Sequence, residues 1–129
     1  MWAKALGLGG ILALAAGPPL ASAQTMEAAQ FHALCKRSDE ASQFGCIMYF
    51  IGYTHGFANT HNGYNEAFAR QHLPVADRPR VTPCFTGTIS AASLAKAFTK
   101  YLDDHPQDLT LALSTAAEHA FAKAWPCEP

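Results

Sequence analysis

Residues 46–57, CIMYFIGYTHGF, are the stretch on which the arrangement of this chain depends. They are almost all apolar or aromatic, and they lack the strict alternation that a half-buried strand would show. We therefore predict a helix that is apolar on nearly every side and lies buried in the middle of a domain. Gly52 and Gly56 are four residues apart on it. We expect either close packing of another backbone against these glycines or a helix end that opens a binding loop.

Upstream of this stretch the sequence predicts one short helix. Residues 26–36 carry an apolar stripe at helical spacing, and Thr25 is suited to cap their N-terminus. The polar run at residues 36–42 then indicates a solvated turn. Ser42 is the expected N-cap of the central helix, which we place at about residues 43–57.

Downstream, two longer helices are predicted. Residues 89–105 show the most regular apolar stripe, with Ser90 as N-cap and Pro106 as the stop signal. Thr110 is expected to cap a last, alanine-rich helix at residues 110–125. Because the link between them is short, these two helices should form an antiparallel pair.

The connection at residues 58–83 has no continuous pattern. Asn62 and Gly63 form a strong turn signal, and residues 66–72 could add two helical turns. Three prolines then favour irregular chain, namely Pro74, Pro79 and Pro83. We predict a long loop, and loops of this length in a small domain tend to be functional or mobile.

Four cysteines, at Cys35, Cys46, Cys84 and Cys127, indicate two disulfides. Three pairings are possible, but the predicted helices bring neighbouring ends together, so we expect Cys35–Cys46 and Cys84–Cys127. A reactive thiol or a Cys/His metal site is the alternative, and the chain has no C-x-x-C motif to favour it. The predicted fold class is all-α, a small disulfide-stapled bundle of about four helices.

Residues 1–23 have the features of a signal peptide. Lys4 precedes an apolar segment, and a small-residue cleavage site ends at Ala23. We expect export to the periplasm and a single helical domain at residues 24–129, with an uncleaved membrane anchor as the alternative. An exported compartment is also one in which disulfides persist.

The charge balance excludes some classes of partner. The formal net charge is -1 and there is no basic run, so we predict no nucleic acid partner and no membrane partner after cleavage. The central apolar stretch is too short to span a bilayer.

The sequence gives no reason to predict an enzyme, a cofactor or a metal. Its histidines show no pair at the spacing of a helical zinc motif, and His55 is expected to be a hydrogen-bonded core residue. The carboxylates of Asp103, Asp104 and Asp108 are expected to lie at a solvated turn and to bind no calcium.

The aromatic residues give a better functional indication. Phe50 and Phe57 are expected in the core, whereas Tyr64 and Phe68 are equally suited to the core and to a partner contact. We predict that a partner binds the polar and aromatic residues of the long connection, namely His61, Asn62, Tyr64, Asn65, Glu66, Phe68 and Arg70.

The order of these features resembles a known family. A Cys precedes an interhelix turn, a second opens the aromatic helix, and a third precedes a capped helix that ends in KYLDDHP. An alanine-rich helix and WPC close the chain. This resembles the Rap/Tai family of periplasmic immunity proteins over about residues 31–127, most specifically at residues 101–127. Two departures are CFTGTIS at the third Cys, where the family usually has a proline, and a long connection from Cys46 to Cys84.

The resemblance implies a small, mainly helical antitoxin that is often dimeric. Members of this family bind and occlude peptidoglycan amidase effectors delivered by type VI secretion, whose site is a papain-like Cys/His pair. The expected partners are thus a cognate amidase effector and a second copy of the chain. The alternatives are a periplasmic acid-stress chaperone and a carrier of apolar ligands.

Overall fold

The computed structural model describes residues 25–78 and 82–129, so the predicted signal peptide lies outside the described residues. Within these ranges the chain forms α1 (Ala28–Cys35), α2 (Glu40–Arg70), α3 (Ala91–Asp104) and α4 (Leu113–Ala124). Two short 3-10 helices occur at Val75–Asp77 and Pro106–Thr110. The described residues contain no strand, only an isolated antiparallel bridge between Glu27 and Ala112. The predicted all-α bundle is confirmed.

The centre of the core is a cluster of phenylalanine rings. Phe50 of α2 is fully buried, and its ring centroid lies 5.7 Å from Phe31, 5.6 Å from Phe98 and 5.7 Å from Phe121. These three rings belong to α1, α3 and α4, so one side chain contacts an aromatic residue on each of the other helices. Edge-to-face and tilted pairs at such distances add to the energy of apolar burial.

The predicted burial of the central helix on all sides is wrong. On α2 only Ser42, Cys46 and Phe50 are buried. The opposite face exposes three large apolar residues, Phe44 at 66%, Met48 at 46% and Ile51 at 37%. The other helices cover one side of α2 only, and His55, which we expected in the core, is exposed.

The glycines of α2 do not serve a close helix contact. A Cβ atom built at Gly52 or Gly56 would meet nothing within 4 Å, so the prediction of a tightly packed glycine strip is wrong. The alternative, a helix end at one of them, is wrong as well, because α2 continues to Arg70. The turn predicted at Asn62 and Gly63 therefore does not form. Residues 58–70 of the long connection are helical, which includes most of the segment 66–72 where two helical turns were considered.

Helix α2 begins earlier than predicted. Its N-cap is Asp39, whose carboxylate accepts a hydrogen bond of 3.0 Å from the backbone N–H of Ser42, so the prediction of Ser42 as cap is wrong. The bonds from Ser42 hold the pKa of the Asp39 carboxyl below its usual value. Ser42 itself is only 6% exposed, since it lies on the covered side of the helix.

The N-termini of α1 and α4 cap each other through the backbone. The N–H of Ala28 donates to the carbonyl of Leu111, and the N–H of Leu113 donates to the carbonyl of Met26, both at 2.9 Å. Each bond satisfies a first-turn donor that has no acceptor within its own helix. The predictions that Thr25 and Thr110 cap these helices are wrong, because no side chain caps either one.

Both predicted disulfides are confirmed. Cys35 and Cys46 join the end of α1 to α2 with a Cα–Cα distance of 5.2 Å. Cys84 and Cys127 join the segment before α3 to the segment after α4 at 4.9 Å. The second pair spans a sequence separation of 43, for which the chain-entropy model gives a stabilisation of about 4 kcal/mol.

The α3–α4 hairpin forms as predicted. Ser90 caps α3 by accepting a bond of 3.1 Å from the N–H of Ser93.

The carboxylates near the turn are engaged in side-chain contacts and not simply solvated. Asp108 accepts from the Tyr101 hydroxyl at 2.8 Å and contacts His119 Nδ1 at 3.0 Å. These bonds, with that of His119 the largest cause, lower the pKa of Asp108.

A second cluster of this kind links α1 to α3. Asp103 contacts His32 Nε2 at 2.9 Å and Lys36 Nζ at 2.8 Å. The bonds from Lys36 and then His32 lower the pKa of the Asp103 carboxyl.

Replacing Phe50 by alanine should destabilise the protein strongly. We expect Phe50→Ala to lower the free energy of unfolding by about 3–5 kcal/mol, because it leaves a cavity among three rings. Urea denaturation followed by far-UV circular dichroism measures this loss. The matched control is Phe44→Ala on the same helix, where a 66% exposed ring should cost well under ~1 kcal/mol. Equal losses in both variants would contradict the assignment of Phe50 to the centre of the core.

Candidate partner-binding surface

The distal half of α2, residues 58–70, extends past the aromatic core. These thirteen residues span about 20 Å at the helical rise per residue. No α2 residue beyond Phe50 is buried. All seven side chains that we predicted to bind a partner lie on this half: His61, Asn62, Tyr64, Glu66 and Arg70 are exposed, and Asn65 and Phe68 are half-buried.

Contacts between residues four apart stabilise this part of the helix. His61 and Asn65 are joined by a bond of 3.1 Å, and Arg70 donates to Glu66 at 2.9 Å. The rings of Tyr64 and Phe68 are stacked with centroids 6.1 Å apart. Each such pair adds a few tenths of a kcal/mol to a helix. Together they offset the propensity cost of Gly63, which explains why the predicted turn does not form.

The C-terminus of α2 is closed by a Schellman motif. His72 has a φ of 56°, its N–H donates to the carbonyl of Ala69, and the N–H of Leu73 donates to that of Phe68. Pro74 follows at the position where the chain can no longer continue a helix. A left-handed conformation at a non-glycine residue is unfavourable, so this end is held by its hydrogen bonds.

The seven candidates occupy two sides of the helix. At about 100° per residue, His61, Tyr64, Asn65 and Phe68 share one side, whereas Glu66 and Arg70 lie on the opposite side. Asn62 lies between the two groups. The structure thus brings the aromatic candidates together and separates them from the ion pair.

The aromatic side of the distal half continues the core-facing side of α2. The same line along the helix passes through Phe50, Tyr53, Phe57 and His61 to Phe68. Tyr53 packs against Phe121 at 5.0 Å, and burial, aided by the nearby Glu118 carboxylate, raises the pKa of Tyr53 to about 12. Phe57 stacks on His61 at 6.3 Å. This stripe leaves the bundle at its distal end, where Tyr64 is 50% exposed.

A cleft lies beside this stripe, between α2 and residues 83–89. Its volume is about 410 Å³, and it is lined on the α2 side by Phe57, His61 and Asn62 among others. The opposite wall includes Phe85 and Ile89. Two of the predicted partner-binding residues, His61 and Asn62, therefore line a concave surface.

Phe85 lines this cleft and was not among the residues predicted from sequence. Its ring lies 5.1 Å from that of Phe57 and 5.3 Å from that of Trp125. The N–H of the adjacent Cys84 donates to the carbonyl of Trp125 at 3.1 Å, which fixes this segment to the end of α4. The sequence feature that could have indicated Phe85 is its position directly after the disulfide cysteine Cys84, in the segment CFTGTIS.

Two kinds of feature are absent from the described residues, a cluster of metal-binding side chains and a membrane-spanning helix. Within residues 25–78 and 82–129, no group of three or more His, Cys, Asp or Glu side chains is arranged to hold a metal ion. In the same part of the chain, no helix has the length and apolar character needed to cross a bilayer.

The fold and this surface define a small disulfide-linked helical protein with an exposed aromatic helix face. A family model for Rap1a immunity proteins matches residues 27–127, a range that contains both disulfides and all seven candidates. Comparisons with curated proteins and with solved structures give no match. The chain belongs to the family of Rap1a immunity proteins. Membership suggests a protein that acts by binding an effector and not by catalysis.

Replacing Gly63 by alanine tests whether residues 58–70 form a continuous helix in solution. A Cβ atom at Gly63 would meet nothing within 4 Å, so Gly63→Ala should stabilise this half by about 0.5–1 kcal/mol. Amide hydrogen exchange of residues 58–70, measured by NMR, should slow by up to about fivefold.

The matched control is the same substitution at Gly87. Its φ of 76° is unfavourable for alanine, so Gly87→Ala should destabilise its segment. Unchanged or faster exchange in Gly63→Ala would show that the distal half is not helical in solution.

Proposed function

We propose that this protein is a periplasmic immunity protein that binds a type VI secreted peptidoglycan amidase and covers its active site. Membership in the Rap1a family supports an immunity role against a secreted effector. The amidase target rests on the resemblance carried by residues 101–127. The observation that carries the mode of binding is the aromatic stripe of α2, which continues about 27 Å from Phe50 to Phe68 and has no fully buried side chain beyond Phe50.

The physical argument begins with the apolar stripe. In the first half of α2 this side packs on other helices, and in the second half the same side presents Tyr64, at 50% exposure, to solvent. A partner that covered this face would extend the core across the interface. Tyrosine and other aromatic residues are common anchors at such positions, because they bury a large area with few rotatable bonds.

The scaffold favours binding as a rigid body. The disulfide between Cys35 and Cys46 fixes the first half of α2 to α1, and the pair Cys84–Cys127 fixes the wall of the cleft. A helix held this way loses little conformational freedom on binding. A single helix with its side chains is about 10–12 Å wide, which suits insertion into an enzyme cleft. Inhibition then needs no chemistry from the inhibitor.

Export to the periplasm is part of the proposal. The signal-peptide features of residues 1–23 support it, and so do two disulfides in a chain without free cysteines among its described residues. Such bonds persist in oxidising compartments.

We also propose that two copies associate through the opposite side of α2. Phe44, Met48 and Ile51 form an exposed apolar stripe at helical spacing, on the side facing away from Phe50. Two such stripes are self-complementary across a two-fold axis, as a symmetric dimer requires. The arrangement leaves the aromatic side with Tyr64 accessible for the effector.

No specific observation supports either alternative function, the acid-stress chaperone or the carrier of apolar ligands. An acid-triggered chaperone needs contacts that break in acid. The stability contributed by Asp103 and Asp108, whose pKa values are lowered, is lost as the pH falls through these lowered values, but any paired carboxylate behaves in this way, so the contacts do not favour a chaperone in particular. A carrier of apolar ligands would use the cleft beside α2, whose lining includes polar Thr54, His61 and Asn62.

The effector interface is tested by Tyr64→Ala and Phe68→Ala against the cognate peptidoglycan amidase effector of the proposal. We expect Tyr64→Ala to weaken binding by about 30-fold or more, the effect of losing an aromatic anchor. Isothermal titration calorimetry and an assay of peptidoglycan cleavage measure it. Asn59→Ala is the matched control, because Asn59 is exposed on the opposite side of the helix and is not one of the seven predicted residues; it should change affinity by less than about threefold. Full amidase activity in excess wild-type protein would overturn the proposal.

The homodimer is tested by Met48→Glu, which places a charge in the proposed interface. We expect wild type to sediment as a dimer and Met48→Glu as a monomer, because a carboxylate facing an apolar stripe remains unpaired. Thr115→Glu, on an exposed position of α4, adds the same charge elsewhere and should remain dimeric. A monomeric wild type, or a dimeric Met48→Glu, would contradict this interface.

A further inference from the structure

A second groove lies between α3 and α4, away from the distal half of α2. Its volume is about 390 Å³, and its α3 wall runs from Ser93 to Asp104 along one side of the helix. The groove exists because small side chains line it, namely Ala97, Ala120 and Ala124. Trp125, at the C-cap of α4, lines it as well.

The groove is basic, although the chain as a whole is not. Lys96 and Lys100 of α3 and Lys123 of α4 line it, whereas the formal net charge of the chain is -1. The carboxylate among the lining residues is that of Asp104, which is bound to Lys100 at 2.8 Å. Among the described residues, neither Lys96 nor Lys123 takes part in an ion pair. Two ammonium groups on opposite walls are therefore available to an anion.

One end of the groove is rigid and partly aromatic. Tyr101 and His105 are stacked with ring centroids 4.2 Å apart, and the Tyr101 hydroxyl donates to Asp108 at 2.8 Å. His105 Nδ1 lies 2.9 Å from the carbonyl of Tyr101, to which it donates. These contacts hold the rings in place before any ligand arrives, which lowers the entropic cost of binding.

We propose that this groove binds an extended acidic peptide segment of a partner protein, with carboxylates at alternate positions. Lys100 donates to Asp104, but its ammonium group has three N–H donors and can also reach a peptide carboxylate; it lies one helical turn from Lys96, about 6 Å along α3. Carboxylates at positions i and i+2 of an extended peptide are about 6.6 Å apart on the same side of the chain. Ser93 and Asp104 are separated by about 16 Å along the helix, the length of about five extended residues.

The dimensions favour a peptide over other anions. A small free anion would contact one or two of the lysines and would leave most of the length of the groove, and its aromatic end, unoccupied. Because exposed charge pairs alone bind weakly, such an anion would have a low affinity. A nucleic acid needs a broader basic surface than three lysines on a chain of net charge -1. The apolar residues between the carboxylates of a peptide match the alanines and Trp125 of the groove.

The test uses the disulfide-bonded protein and a fluorescein-labelled peptide, acetyl-Asp-Leu-Asp-Leu-Asp-amide, in a fluorescence anisotropy titration at low salt. We expect saturable binding that weakens as salt increases. The double variant Lys96→Gln/Lys123→Gln should weaken it by about tenfold. Ala124→Leu, which fills the groove without changing charge, should weaken it as well. Far-UV circular dichroism verifies that each variant is folded.

Matched controls separate the groove from general charge effects. Lys36→Gln removes the same charge from α1, outside the groove, and should leave the affinity within about twofold. The peptide acetyl-Asn-Leu-Asn-Leu-Asn-amide should not bind. Tyr64→Ala should bind the acidic peptide as wild type does, which makes this proposal independent of the effector interface.

Three outcomes would overturn the proposal. The first is the absence of saturable binding of the acidic peptide, and the second is an equal loss of affinity in Lys36→Gln and in the groove variants. The third is binding of oligothymidylate that is tighter than that of the acidic peptide and is lost in the lysine variant, which would assign the groove to phosphate chains.

Discussion

The packing of one ring, that of Phe50, against Phe31, Phe98 and Phe121 is the interaction on which the rest of the structure depends. These rings come from α1, α3 and α4, so the position of α2 relative to every other helix is set at one point along its length. Because this point lies in the first half of a 31-residue helix, the distal residues 58–70 are carried outward and none of them is buried. The exposed aromatic surface follows directly from where the helix is anchored.

Features that depend on local sequence could be predicted. The cap of α3 by Ser90 was predictable because it depends only on a serine hydroxyl and on the apolar spacing of the residues that follow it. The two disulfides were predictable because short links bring helix ends together. The caps at α1 and α4 were not, since Ala28 and Leu113 find their acceptors in residues more than eighty positions away.

The distal half of α2 shows why the conformation of the candidate site was predicted wrongly from the sequence. Asn62 and Gly63 favour a turn, but side-chain pairs four apart, such as that of His61 with Asn65, stabilise the helix over the same residues. The helix and turn propensities of single residues do not include the energy of such side-chain pairs. As a helix, the segment places Tyr64 and Arg70 on different sides, a separation that a loop would not have imposed.

The absence of buried residues on α2 beyond Phe50 has an evolutionary consequence. Substitutions at residues 58–70 change no core contact, so selection on the fold hardly constrains them, provided that they remain compatible with a helix. A lineage could thus replace the aromatic face, one position at a time, while the disulfides and the phenylalanine cluster stay unchanged. With the proposed interface, recognition and folding would be encoded in separate parts of one helix, and the binding surface could then change with its effector without loss of stability.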